Sequence, residues 1–370
     1  MSVSSPRPST APAPHGQTAG RPTAARCPGR PYRDGHTVTG YAATGAEAAA
    51  GRPVVVLAGG LSYERDISLR SGRRIVAALH AAGCEATLLD PDDTLLARLD
   101  ADRPAAVLIA LHGAAGEDGA LRGVLELAGV PYVGASAAAS RISWDKPTAK
   151  ALCRAAGIGT ADWVALPDTT FRELGAAAVL DRIVERIGLP LMLKPAQGGS
   201  ALGAIRVADA EDLPAAMVGC FAYASTVLIE RYIDGIEVAV TVIDDGDGPR
   251  ALPAVEIAPN DGVFDYAARY TQGMTTYHTP ARLDATTTER LMAAAVRAHE
   301  TLALRDLSRV DIIVAPDGTP VFLEVNVSPG LTDTSLMPMS VAAASLDLGA
   351  LTARMLRDAA RRSQQVSTVD

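Results

Sequence analysis

Between Arg309 and Asn326, two apolar runs flank the dipeptide Asp317-Gly318. Asp-Gly is among the strongest two-residue turn signals, so the segment reads as an antiparallel hairpin. A turn centred there pairs Asp311 with Glu324 and Arg309 with Asn326. Side chains alternate along a strand, so all four emerge on one face. Opposed carboxylates on a half-buried sheet repel unless a cation lies between them. Two carboxylates with an asparagine carbonyl make an oxygen-rich set that suits Mg²⁺ and leaves room for phosphate oxygens and water. Alternation with Val, Ile, Phe and Leu makes a solvated face with chance acids the poorer reading. The next turn, Ser328-Pro329-Gly330, can offer backbone N–H groups, and Arg309 beside it suits developing negative charge.

The cations are unevenly chosen. Three lysines, Lys146, Lys150 and Lys194, stand against 31 arginines. The chain is also rich in Ala, Gly and Pro, a bias that fills ordinary cationic positions with Arg. A lysine that survives such a bias marks a place that needs a compact ammonium rather than a guanidinium fork. Lys194 ends the apolar run Leu191-Met192-Leu193 and opens the glycine-rich stretch Pro195 to Gly203. Glycines let backbone amides approach a phosphate closely. The spacing is neither that of a P-loop nor a G-x-G-x-x-G after the first strand, which disfavours a dinucleotide fold of that kind. An ordinary flexible loop is the alternative for this stretch alone.

The chain has 370 residues, 48% hydrophobic and 21% charged, enough for a large core and too apolar for wholesale disorder. Its net charge of −8 argues against nucleic-acid or anionic-membrane partners. No apolar run approaches the ~20 residues of a membrane span. Cys27, Cys84, Cys153 and Cys220 form no C-x-x-C pair and read as free thiols in a reducing cytosol.

Residues 1–50, rich in Pro, Ala, Gly, Thr and Ser, read as a disordered tail without the apolar region of a secretory signal. A misassigned start codon and a transit peptide are further readings of it. Residues 53–134 alternate strands (54–58, 105–111, 132–133) with helices (67–82 and one through Leu121, Leu125 and Ala128), the pattern of a doubly wound parallel sheet. Residues 135–233 read as an α+β unit, with helices over 146–156 and 171–187 and strands over 191–194, 205–207 and 227–233. Residues 234–362 carry strands over 238–243, 254–257, 310–314 and 321–327, a helix over 287–304 and a terminal helix over 348–362.

These pieces, in this order, resemble the ATP-grasp superfamily and, more closely, the D-alanine–D-alanine ligase family, over about residues 53–360. Four motifs carry the resemblance. They are Leu57 to Ser68 with Glu64 inside it; Leu111-His112-Gly113 with Gly116-Glu117-Asp118-Gly119; Lys194 and its loop with Glu230 to Glu237; and the hairpin through Ser335-Leu336. The resemblance implies a fold of mixed α/β and α+β class: an ATP-grasp fold with an N-terminal doubly wound parallel-sheet domain (53–134), a central lid (135–233) and a C-terminal catalytic and metal domain (234–362). It implies ATP as cofactor, with Lys146 and Lys194 at the phosphates, Glu230, Arg231, Tyr232, Ile233 and Leu323 at the adenine and Glu237 at the ribose. Two Mg²⁺ ions, with Mn²⁺ as a substitute, fall to Asp311, Glu324 and Asn326. Arg309 and the Gly330 amide stabilise the tetrahedral intermediate. Glu64 holds the first substrate's ammonium, with Ser200 and Tyr270 hydrogen-bonded to it. Ser335 and Leu336 take the second substrate's carboxylate. His112 is either a substrate contact or a structural histidine.

The implied reaction joins two D-alanines through an acyl phosphate for peptidoglycan synthesis, in a cytoplasmic homodimer whose partners are small molecules. Leu61, Ala201 and Arg269 depart from the family pattern. They keep open a ligase or cyclase of secondary metabolism acting on another D-amino acid. A nucleotide-binding regulatory module without turnover is a third reading, and the complete metal set argues against it.

Overall fold

Four consecutive apolar residues, Val54–Leu57 (β1), predict a strand covered on both faces, and all four are buried. The computed structural model describes residues 52–367, apart from 245, 247, 261–270 and 272. The tail over 1–50, Arg269 and Tyr270 therefore lie outside the described residues. After β1 come α1 (Arg65–Ala81), β2 (Ala86–Leu89), α2 (Leu95–Asp102), β3 (Val107–Ile109), α3 (Ala114–Glu117) and α4 (Ala120–Leu127). The three strands form a parallel sheet in the order β2-β1-β3, and Tyr132 adds one parallel bridge to Val107. Val55, Leu57 and Val107 pack with Leu99 and Leu125 on one face. Val54, Val56 and Leu108 pack with Ile75 and Leu79 on the other. The sheet is doubly wound.

The chain continues through α5 (Ala137–Trp144), α6 (Lys146–Ala155), β4 (Trp163–Pro167), α7 (Asp168–Leu174), α8 (Ala176–Ile187), β5 (Leu191–Pro195), β6 (Ile205–Val207), α9 (Leu213–Phe221) and β7 (Thr226–Arg231). Asp145 caps α6 by accepting from the Thr148 amide at 3.0 Å, with Pro147 in the first turn. The helix expected over 171–187 is instead two helices, because Gly175 sits at φ +84° between them. The four strands form an antiparallel sheet in the order β4-β7-β5-β6. Leu191, Leu193, Val227 and Ile229 pack under α8 and α9. Residues of opposite parity, Met192, Lys194 and Glu230, are left for the other face.

The remaining elements are β8 (Ile236–Asp244), β9 (Pro249–Ala251), β10 (Val255–Pro259), β11 (Thr275–His278), α10 (Ala285–Thr301), β12 (Leu307–Val314), β13 (Pro320–Asn326), α11 (Leu336–Ala343) and α12 (Leu348–Ser367). They build an antiparallel sheet in the order β11-β10-β8-β12-β13, with β9 paired to β8. Val238, Val240, Val310 and Ile312 pack against Leu291 and Ala295 of α10. Glu237, Arg309, Asp311 and Ile313 are therefore on the opposite face.

The hairpin β12–β13 pairs Asp311 with Glu324 and Arg309 with Asn326, as expected, but by another route. The connection is not a two-residue turn. Ala315 N–H bonds Thr319 O, closing a three-residue loop with Gly318 at φ +77°. Nearer the turn, Val314 therefore pairs with Pro320. A bulge between Asp311 and Ile312, with Leu323 as the extra residue, then shifts the register back by one. The two offsets cancel. The bulge also lets successive residues, Leu323 and Glu324, line the same chamber.

Candidate active site

Two sheets face one another across a cleft. Met192, Lys194 and Glu230 come from β5 and β7, and Ile257, Asp311, Ile313, Leu323 and Glu324 from β10, β12 and β13. The open chamber between them measures about 1210 Å³. Its walls are apolar at Ala161, Met192, Ile233, Ile257, Ile313 and Leu323, and Glu230, Arg231, Tyr232, Ile233 and Glu237 run along one side. Lys146, Lys194, Asp311 and Glu324 make it strongly charged. A slot that is apolar in part and charged in part suits a ligand with a flat base and an anionic tail.

Glu230 binds two cations. Its Oε1 lies 2.7 Å from Lys194 Nζ and its Oε2 2.9 Å from Lys150 Nζ. Burial alone would raise the Glu230 pKa, but Lys194 and then Lys150 outweigh it and hold the carboxyl below its ordinary range. Burial also opposes the Lys194 charge, and Glu230 and Glu324 overcome it. For Lys150 burial dominates and lowers the pKa, with Glu230 working against it.

Across the cleft, Arg309 places Nε 2.7 Å and Nη2 2.8 Å from the two oxygens of Asp311, a bidentate fork. Burial opposes the Arg309 charge, but Asp311 and Glu324 raise its pKa. Lys146 Nζ donates to Gly198 O at 2.6 Å and lies 3.4 Å from Glu324 Oε2. This corrects the expectation that Asp311 and Glu324 need a metal to relieve their repulsion, since each already faces a protein cation. Asn326 Oδ1 accepts from Ser328 N–H at 2.8 Å. Among the described residues no group of three or more His, Cys, Asp or Glu forms a metal cage. Two carboxylates and one amide oxygen fit a hard cation that draws its other ligands from phosphate and water.

A second chamber, about 1150 Å³, is lined mainly by polar groups. It shares Lys146, Gly198, Gly199 and Glu324 with the first, so these four form the dividing wall. Glu64 stands at the N-cap of α1, buried, where the helix dipole favours its charge. The Ser200 hydroxyl donates to Glu64 Oε1. Arg309, Asn326, Gly330, Ser335 and Leu336 also line this chamber. The Gly330 N–H bonds to no other described residue. A Cβ at Gly330 would fall 2.8 Å from Ser335 Oγ, so a larger residue there would have to displace that side chain. Ser335 is the N-cap of α11, whose exposed amides suit a carboxylate.

His112 lines this chamber, yet both ring nitrogens are engaged by protein. Nδ1 lies 3.3 Å from Ser328 O, and Nε2 lies 3.1 Å from Ser71 Oγ. A carbonyl can only accept, so Nδ1 carries the proton and Nε2 accepts from Ser71. Ser71 Oγ in turn accepts from Leu331 N–H at 3.3 Å. Burial lowers the His112 pKa and keeps the ring neutral. His112 thus ties α1 to the Ser328–Leu331 loop, and its ring atoms are spent on that link rather than on a substrate.

Every expected site residue among the described ones lines one chamber or both, and Tyr270 lies outside the described residues. Of the family departures, Ala201 lines the first chamber, while Leu61 is fully exposed and lines neither. Glu117, which the sequence reading quoted in a motif and gave no role, lines the second chamber as a buried acid. Lys150 lines neither and was visible only as the third survivor of the arginine bias.

Two antiparallel sheets closing on one cleft, with a glycine-rich loop on one side and an acid-bearing hairpin on the other, define the ATP-grasp class. The family model described as "D-ala D-ala ligase C-terminus" matches residues 152–357. The D-alanine–D-alanine ligase of Anaeromyxobacter sp. strain Fw109-5 is 42% identical over 313 residues, covering 85% of this chain and 98% of that one. The solved D-alanine–D-alanine ligase of Bacillus anthracis matches with a TM-score of 0.71 at 32% identity, over 85% of this chain and 99% of its own. The same protein was solved in complex with ATP, with a TM-score of 0.69 at 29% identity and the same coverage. The VanG D-Ala:D-Ser ligase of Enterococcus faecalis matches with a TM-score of 0.69 at 27% identity, over 82% and 98%. The chain belongs to the D-alanine–D-alanine ligase family.

Proposed function

We propose that the protein joins two D-alanines into D-alanyl-D-alanine, converting ATP to ADP and phosphate and supplying peptidoglycan synthesis. The shared wall carries this reading: Lys146, Gly198, Gly199 and Glu324 belong to both chambers, so a phosphoryl group in the first is within reach of an acceptor in the second. The adenine lies in the apolar slot along Glu230 to Ile233 and against Leu323, with the ribose at Glu237. Lys146 and Lys194 meet the phosphates. Asp311, Glu324 and Asn326 would hold Mg²⁺, which when bound offsets the charge of the transferring phosphoryl group.

Glu64, aligned by Ser200, holds the ammonium of the first D-alanine. Its carboxylate oxygen bonds to the γ-phosphorus while the bond to ADP breaks, leaving an acyl phosphate. The second D-alanine places its carboxylate at Ser335 and Leu336. Its amine, after losing a proton, attacks the acyl carbon. Arg309 and the Gly330 N–H receive the oxyanion, and phosphate leaves. The Asp311 fork uses Nε and Nη2 of Arg309, which leaves Nη1 for that oxyanion.

The same reading makes 53–134 a substrate unit, 135–233 a lid and 234–362 the catalytic unit, each built around one of the three sheets. It carries a cytoplasmic location, where ATP and D-alanine are found, and the homodimer implied by the resemblance is tested by sedimentation. The assay offers equal D-alanine, D-serine and D-lactate with ATP and Mg²⁺ at pH 7.5 and separates products by mass. D-Alanyl-D-alanine is the expected main product, because Tyr270 supplies no cation to favour an anionic hydroxy acid. A depsipeptide as main product, or ATP turnover without any dipeptide, overturns the reading.

A further inference from the structure

Lys150 is the lysine that the mechanism leaves unused. Its side chain is fully buried on α6 and lines neither chamber. Its nitrogen donates to Phe322 O at 3.1 Å and Leu323 O at 3.4 Å, and lies 2.9 Å from Glu230 Oε2. It also stands 5.9 Å from the centre of the Phe322 ring. The nitrogen donates to both carbonyls and stands as an ion pair beside the carboxylate, where the lone pair of a neutral amine would face a carboxylate oxygen. The geometry is that of the charged form. Two cations therefore share the Glu230 carboxylate, one oxygen each, and the trio carries a net charge of +1. Without Lys150, Lys194 and Glu230 would cancel. Buried charge is expensive, and an apolar residue would often fill such a place at no loss of stability. The arrangement therefore calls for a role in the site.

We propose that Lys150 is a positioning residue for nucleotide phosphates. By taking one oxygen of Glu230, it leaves Lys194 with uncancelled positive charge at the chamber's charged end. The inference rests on the reading that ATP occupies the first chamber. It makes the preference for ATP over its unphosphorylated nucleoside a property of a residue that touches neither.

The test measures the affinities of ATP, ADP and adenosine by calorimetry for the parent, for K150M and for K150M/E230Q. The single variant lowers the net charge to zero, and the double variant returns it to +1. In K150M the ratio of ATP to adenosine affinity should fall by about ten- to thirtyfold, the size of one elementary charge acting about 8–12 Å away at an effective dielectric near 20. ADP should fall by less. In the double variant the ratio should return to within about threefold of the parent. Equal losses of ATP and adenosine in K150M would mean that Lys150 only supports the fold, and would overturn the proposal. So would a double variant that keeps the K150M ratio. Where K150M alone does not fold, E230Q carries the test: it raises the trio to +2, the ratio of ATP to adenosine affinity should rise by about tenfold or more, and an unchanged ratio overturns the proposal. A parent that binds neither ATP nor adenosine would instead defeat the nucleotide reading itself.

Discussion

Glu117→Gln should change how stability depends on pH. Glu117 is buried on α3, and one of its oxygens accepts from Gly113 N–H at 3.0 Å. Burial, and then the charge of Glu64, raise its pKa from 4.5 to about 8. Between those two values the folded protein keeps a proton that the unfolded chain has lost. Stability falls with rising pH wherever the native state binds more protons, so the parent should weaken steadily from about pH 4.5 to about pH 8 and level off above. One group contributes at most about 1.4 kcal/mol per pH unit, and the whole interval gives about 5 kcal/mol as an upper figure. Local relaxation brings the expected loss to about 3 kcal/mol. Urea unfolding of both proteins at half-unit steps from pH 5 to 9 measures it. Glutamine cannot ionise, so the parent's stability should drop relative to E117Q by that amount up to pH 8 and run parallel beyond. Parallel curves through the whole range would show that Glu117 ionises like an exposed acid. Because a protonated carboxyl and an amide are both neutral, E117Q should also keep its activity at pH 7 within about tenfold, or ~1.4 kcal/mol of barrier.

Two further substitutions probe the wall and the loop. E324Q should lower kcat by at least about 10³-fold, roughly 4 kcal/mol of barrier, because it removes a charge that both chambers share. Its folding stability should stay within about 1 kcal/mol, since the Lys146 pair is partly solvated; activity within tenfold of the parent would remove Glu324 from the metal set. S71A breaks the link from Leu331 N–H to His112, so KM for D-alanine should rise by about 5- to 150-fold while KM for ATP holds, the ~1–3 kcal/mol of a lost buried partner. A rise in KM for ATP with D-alanine unaffected would place that link outside the second chamber.

Strands were legible where the chain has apolar runs, and β1, β5 and β12 fall where those runs lie. Elements whose residues gain their partners only in the tertiary fold were not. β4 reads Trp-Val-Ala-Leu-Pro, an apolar run too short and too close to Pro167 to be taken for a strand, and none of its residues is fully buried. β2 has two buried residues of four, and β11 reads Thr-Thr-Tyr-His. α11 carries Pro338 in its first turn and is too apolar all round to show a helical stripe. Gly175 could have divided the helix over 171–187, but an isolated glycine signals a break only when its backbone is known to be left-handed. The hairpin is the instructive case. Its pairing was right because a loop one residue longer than expected and a bulge at Leu323 offset each other; Pro316-Asp317-Gly318 is compatible with the longer loop, but the bulge has no signature in the local sequence.

The lysine bias located the site more surely than any pattern, and the geometry explains why. Arg309 meets one planar carboxylate side-on, which a fork does well and a point charge does not. Lys146 serves a carbonyl on the glycine-rich loop and a carboxylate on β13. Lys150 serves two successive carbonyls of β13 and a carboxylate on β7. Lys194 shares that carboxylate and still lines the chamber. In the first two cases acceptors from separate elements surround a single nitrogen, an arrangement that a rigid plane of five donors cannot satisfy. A bias toward arginine can overwrite a lysine on an open surface, where either cation is solvated. It cannot do so where the cation joins two sheets. Composition could therefore say where the cations gather, while only the structure separates Lys146 and Lys194, which face the ligand, from Lys150, which acts on it through Glu230.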